Sequence, residues 1–197
     1  MKKTKLWLDF KVRAYEVDVY NRASMVTIAN YLQEAAGQHA DHLDIGVRDL
    51  LRHDWTWVLT RLKIDMQHFP GQQEVIKVLT YPVGFDKYFV YRNFIVYNAQ
   101  EEEIGRAQST WAVMNVQARK MIGVSFKVRW FDLDTNNHTN NAYYLQGVIE
   151  SLPHETLQNK QLTSIDIMFR TETIWKDEIT GQAAVIDEAS FGHQLIR

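Results

Sequence analysis

Cysteine is absent from this 197-residue chain. That removes disulfides, thiolate metal sites and a cysteine nucleophile together, and leaves oxygen and nitrogen groups for any covalent or hydrolytic chemistry. Proline and glycine are sparse, at three and nine, and no Ser/Gly or Pro tract marks a flexible tether. No apolar run approaches the roughly 18 residues of a membrane span. The basic start MKKTK is followed by Asp9, Lys11 and Arg13, charges that break the apolar stretch of a secretion signal, so cytoplasm is the expected compartment. Neither sign of charge dominates: 22 basic residues face 24 acidic ones. Binding driven by counterion release is therefore not expected, nor is a nucleic-acid partner. What the chain has in quantity is hydrophobic residues, 46%, enough to bury a large core.

The sequence repeats itself. FKVRAYEVDVYNR from Phe10 lies over FKVRWFDLDTNNH from Phe126, an offset of 126 − 10 = 116 residues, with Asp18 over Asp134. After a three-residue slip, Tyr31-Leu32-Gln33 lies over Tyr144-Leu145-Gln146. In the first copy, Leu6, Leu8, Phe10 and Val12 alternate as in a strand, and Ile28, Leu32, Ala35 and Ala36 recur at helical spacing behind a Ser24 cap. Four runs rich in Val, Ile, Thr and aromatics follow, starting at Trp55, Glu74, Tyr88 and Ile104, and predict consecutive antiparallel strands. The second copy repeats the order: a strand over 124–133, a helix over 141–152 stopped by Pro153, and strands over 162–169 and 178–187. The fold expected is α+β, a tandem (double) hot dog in which each half wraps an antiparallel sheet around a long helix. Residues 1–120 form one half and 121–197 the other.

The copies differ where chemistry could sit. Asn136 and His138 replace Tyr20 and Arg22, and the first copy offers His68 or Phe69, according to the slip, where the second has Glu172. Asp132 and Asp134 have acidic counterparts in Glu16 and Asp18, so part of their role is expected to be structural, bonding the backbone of the turn into the helix. An imidazole and a carboxylate can take a proton from water, and an amide NH2 can polarise a carbonyl, a set suited to hydrolysis of an activated acyl group. The competing view is that Asn136, Asn137, Asn140 and Asn141 only form an Asx-rich turn capping the helix. A calcium loop fails, because Asn137 stands where its glycine belongs and Tyr143 where its glutamate does. His39 and His42 have no third ligand in register and read as a polar helix face, so no metal is expected. Trp55 and Trp57 lie two apart on a strand, either lining an apolar pocket or simply packing.

VRWFDLDTNNHTNNAYYLQGVIESLP resembles the acyl-acyl carrier protein thioesterases of plants and bacteria, whose second hot dog carries D-x-N-x-H, then N-N and a helix ending in L-P. YEVD, LQEAAGQHADHLDIG, WVLTRLKIDM, YRNFIVYNA and STWAVMN are similar to that family's amino-terminal half, so the resemblance covers nearly the whole chain. It implies hydrolysis of fatty acyl-acyl carrier protein without a cofactor. Asn136, His138 and Glu172 would be the catalytic residues, Asp134 the motif aspartate and acyl carrier protein the partner. It also implies that the acyl chain lies between helix and sheet of the first half, which makes Trp55, Trp57, Ile28 and Leu32 the candidate substrate-binding residues. Plant members have cysteine directly after the glutamate; here Thr173 stands there, which disfavours a thiol relay and leaves a water-based mechanism. An acyl-coenzyme A thioesterase and a noncatalytic acyl-binding protein of the same fold are the alternatives. With Glu178 set over Glu74, no counterpart of Phe94 to Lys120 is found. The second sheet is therefore expected to lack its last strand or so, an edge to be covered by further residues or by a homodimer partner.

Overall fold

The structure is a computed structural model that describes residues 4–85, 89–115, 133–134, 138–150, 152, 154–170, 173–174, 176–177, 180–185 and 190–196. Its elements run β1 (Leu6–Lys11), α1 (Met25–His42), α2 (Val47–Leu51), β2 (Trp55–Met66), β3 (Val75–Phe85), β4 (Phe89–Tyr97) and β5 (Glu103–Asn115). Then come α3 (Asn141–Glu150), α4 (His154–Asn159), β6 (Ser164–Met168), β7 (Thr180–Val185) and β8 (Phe191–Ile196). The chain divides into two compact units, residues 1–119 with 162–168, and 120–161 with 169–197. β6 thus comes from the second sequence copy but belongs to the first unit. The expected strand over 124–133 lies outside the described residues except for Leu133 and the start of the motif loop.

The first unit is a hot dog. Its six strands run in the order β1-β3-β4-β5-β2-β6, every pair antiparallel. α1 lays its apolar stripe on this sheet: Ile28, Leu32, Ala35 and Ala36 are buried against a floor that includes Leu59, Ile64, Ile76, Val78, Phe94 and Val96. That stripe recurs every three to four residues, so one helix face is removed from water while Gln33, Glu34 and Gln38 stay outside. Ser24 starts the helix as expected, its Oγ accepting the Thr27 N–H at 3.0 Å. Phe10 of β1 stacks on Tyr31 of α1 at 4.6 Å between centroids. On the far edge Arg61 of β2 grips Asp166 of β6 through Nε at 2.8 Å and Nη2 at 2.5 Å. That pair is half-exposed and serves register more than stability.

One expectation is overturned inside this unit. His39 is not part of a polar outer face: it is fully buried, and its Nδ1 lies 2.9 Å from Nη1 of buried Arg92, which also donates to Thr80 Oγ1 at 3.0 Å. A guanidinium can only donate, so His39 accepts at Nδ1 and carries its proton on Nε2. Burial lowers the Arg92 pKa to about 10. His42, three residues on, is exposed and bonds the Gln38 carbonyl through Nδ1. The two imidazoles therefore face different surroundings. Hydrophobic periodicity assigned His39 outward because its buried partner, Arg92, is distant in sequence.

In the second unit α3 begins at Asn141, where Asn140 Oδ1 accepts the Ala142 N–H at 3.0 Å. Ala142, Tyr144, Leu145 and Val148 form its buried face. β7 and β8 pair antiparallel, Thr180 opposite Ile196 and Val185 opposite Phe191. No helix among the described residues is long and apolar enough to cross a membrane.

Candidate active site

The repeat is a structural one, and its clearest trace is a loop built twice. In the first copy Val17 and Ala23 form an isolated antiparallel bridge; in the second Leu133 and Thr139 do so, at the same 116-residue offset. Asp18 N–H donates to the Arg22 carbonyl at 2.7 Å, and Asp134 N–H to the His138 carbonyl at 2.7 Å. The carboxylates return the bond: Arg22 N–H to Asp18 Oδ1 at 3.0 Å and His138 N–H to Asp134 Oδ1 at 3.2 Å. Each aspartate therefore clamps a loop of identical length, the structural role expected of Asp134. The helix caps follow in the same register, Ser24 before α1 and Asn140 before α3. No three-residue slip intervenes there, so Tyr144 stands over Ile28 rather than over Tyr31.

The first loop is closed by its own side chains. Arg22 Nη2 lies 3.1 Å from Asp18 Oδ2, and its guanidinium sits 4.8 Å from the centre of the Tyr20 ring. A cation paired in this way has no proton to trade at neutral pH. In the second loop the corresponding positions are Asn136 and His138, a titratable imidazole and an amide. His138 and Asp134 are described and half-buried; Asn136 and Glu172 lie outside the described residues.

The position of Glu172 relative to the repeat follows from its neighbour. Ala23 N–H donates to the Pro70 carbonyl at 2.7 Å, and Thr139 N–H to the Thr173 carbonyl at 2.8 Å. Thr173 therefore corresponds to Pro70, and Glu172 to Phe69 rather than His68. Residue 138 is joined by one peptide bond to Thr139, residue 172 by one to Thr173, and those two residues are hydrogen-bonded. The fold thus brings Thr139 and Thr173 together across 34 residues of sequence. The Thr173 segment is itself pinned: Ile174 N–H bonds Asp177 Oδ2 at 3.0 Å and Asp177 N–H returns to the Ile174 carbonyl.

Around this junction is a cluster that sequence reasoning missed. Thr139, Thr173 and Tyr144 are all buried. Thr139 Oγ1 lies 2.6 Å from Thr173 Oγ1, which lies 2.8 Å from Tyr144 Oη, and Tyr144 Oη also accepts the Thr173 N–H at 2.9 Å. The Tyr144 ring is held edge-on to Phe169. Setting the copies in the unslipped register shows the signal, hydroxyls at 139, 144 and 173 against Ala23, Ile28 and Pro70.

The substrate-binding candidates separate into two places within the first unit. Trp55 and Trp57 line an open apolar groove of about 470 Å³ with Ile45, Leu50, Val113 and Met114. Trp57 is fixed there by donating Nε1–H to the Ile45 carbonyl at 2.8 Å. Ile28 and Leu32 are not in that lining; they are buried between α1 and the sheet. Among the described residues no group of three or more histidine and carboxylate side chains could hold a metal.

Residues 3–130 match the acyl-ACP thioesterase N-terminal domain and residues 116–196 the acyl-ACP thioesterase C-terminal domain. The oleoyl-acyl carrier protein thioesterase of Coriandrum sativum is 28% identical over 83% of this chain and 58% of its own length. The palmitoyl-acyl carrier protein thioesterase of Gossypium hirsutum is 25% identical over 83% of this chain and 51% of its own. The chain thus spans about half the length of these curated relatives. Among solved structures, an acyl-ACP thioesterase from Bacteroides thetaiotaomicron superimposes with a TM-score of 0.89 and 25% identity, covering 98% of this chain and 91% of that one. The 12:0-ACP thioesterase from Umbellularia californica gives 0.85 and 19% over 99% and 93%, a likeness of fold.

Proposed function

Because the chain belongs to the acyl-ACP thioesterase family, both of whose domains it matches, we propose that it hydrolyses the thioester of a fatty acyl chain on acyl carrier protein. The observation that carries this is the duplicated Asp-clamped loop. The same backbone is built twice, and only the second copy holds an amide and an imidazole where the first holds a closed tyrosine–arginine pair.

In this mechanism His138 and Glu172 take a proton from water as its oxygen bonds to the thioester carbon. Asn136 donates to the carbonyl oxygen as negative charge gathers there. Collapse of the tetrahedral species breaks the carbon–sulfur bond; the carrier thiolate receives the proton and a free fatty acid remains. Asp134 contributes by holding the loop. No thiol takes part, since the chain has none. The two halves divide the labour, residues 121–197 carrying the reacting groups and residues 1–120 the acyl chain. Support for the latter is the apolar character of the Trp55–Trp57 groove and of the Ile28–Leu32 face beneath α1.

The test is a panel of acyl-acyl carrier protein substrates from short to long chains, with free thiol measured, and the matching acyl-coenzyme A esters alongside. Wild type is expected to prefer the protein carrier. His138→Ala should lower kcat by about 100-fold or more, the usual loss of a general base. No hydrolysis of any acyl-carrier substrate, or an unchanged rate in His138→Ala, overturns it.

A further inference from the structure

The hydroxyls of Thr139, Thr173 and Tyr144 form one buried chain. Thr173 N–H donates to Tyr144 Oη at 2.9 Å, and Tyr144 Oη lies 2.8 Å from Thr173 Oγ1. Thr173 Oγ1 in turn lies 2.6 Å from Thr139 Oγ1, and Thr139 Oγ1–H donates to the Thr173 carbonyl at 3.3 Å. The chain closes on the same carbonyl that accepts the Thr139 N–H at 2.8 Å. Buried hydroxyls left without partners are costly, whereas a completed network holds its members in one geometry.

The first copy shows that the fold does not require this chain. There Ala23, Ile28 and Pro70 occupy the three positions, and the loop is still clamped by its aspartate and joined by Ala23 N–H to the Pro70 carbonyl. The hydroxyls occur only in the copy that carries Asn136, His138 and Glu172. We propose that Tyr144, Thr173 and Thr139 are positioning residues for the reaction, holding His138 in place through the peptide that joins it to Thr139, itself bonded to Thr173. This rests on the thioesterase mechanism above for the role of His138. It also assigns Thr173 a role of its own as the centre of the chain, bonded to both Tyr144 and Thr139.

Three variants test it: Thr173→Val and Tyr144→Phe, which keep shape and remove hydroxyls, and Thr173→Ser, which keeps the hydroxyl. Thermal unfolding shows that each is folded. Expected is a loss of at least about tenfold in kcat for Thr173→Val and Tyr144→Phe with KM within about twofold, since misplaced reacting groups cost turnover rather than binding. Thr173→Ser should recover most of the rate. A readout independent of turnover is the NMR titration of the His138 imidazole. Its pKa should move by at least about 0.3 unit in Thr173→Val and Tyr144→Phe and return in Thr173→Ser. If wild type proves inactive, the mechanism fails while the titration still decides whether the chain controls His138. An unmoved titration, or full kcat in a folded Thr173→Val, overturns the proposal.

Discussion

Asp18 and Asp134 clamp equivalent loops, so what separates the copies is the pair of side chains each loop carries, Tyr20 and Arg22 or Asn136 and His138. The same economy appears at Tyr31, whose Oη donates to Glu16 Oε2 at 2.7 Å. Burial first, then that hydrogen bond, push the Tyr31 hydroxyl above the ordinary tyrosine value of 10. The sign is fixed by linkage. The folded state holds this proton more tightly than the unfolded chain, so the contribution is full below pH 10 and is lost as pH rises through the higher folded value. The stability advantage of wild type over Tyr31→Phe should therefore shrink between pH 10 and about 12, measured by urea unfolding. A gap constant across that range would contradict it.

At the scale of elements, local pattern and tertiary structure mostly agree. The expected strands starting at Trp55, Glu74, Tyr88 and Ile104 correspond to β2, β3, β4 and β5, and the Ser24 cap opens α1. These signals are short-range, alternation with period two and a hydroxyl before an apolar helical stripe, so they survive without knowledge of the rest. Ser24→Ala removes one cap bond and should cost about 1 kcal/mol, lowering the thermal midpoint by about 2–4 °C. Calorimetry on the variant checks this, and an unchanged midpoint would show the Thr27 N–H satisfied another way. Local pattern failed at His39, buried against Arg92. It failed again at the helix register, where Tyr31 over Tyr144 was the tempting match and the caps set Tyr144 over Ile28.

For the whole molecule the sheet order is the main organising fact. β5 lies between β4 and β2, with partners on both sides, whereas β1 pairs only with β3 among the described residues. Native-state hydrogen exchange should find a continuous run of slow amides along β5, and in β1 alternating amides that exchange at least about 100-fold faster. Equal protection along both strands would contradict the order β1-β3-β4-β5-β2-β6.

The sequence by itself determined the duplication, the strand and helix succession, the lack of cysteine and the one-sided set of Asn136, His138 and Glu172. All of these are written in residue type and spacing. Only the tertiary structure decided that Thr173 stands over Pro70, that Thr139 and Thr173 meet, and that Tyr144 completes a buried hydroxyl chain with them. Those contacts join residues about thirty apart. Their partners are chosen by how α3 packs and by which backbone donors face inward, and no periodicity along the chain encodes that.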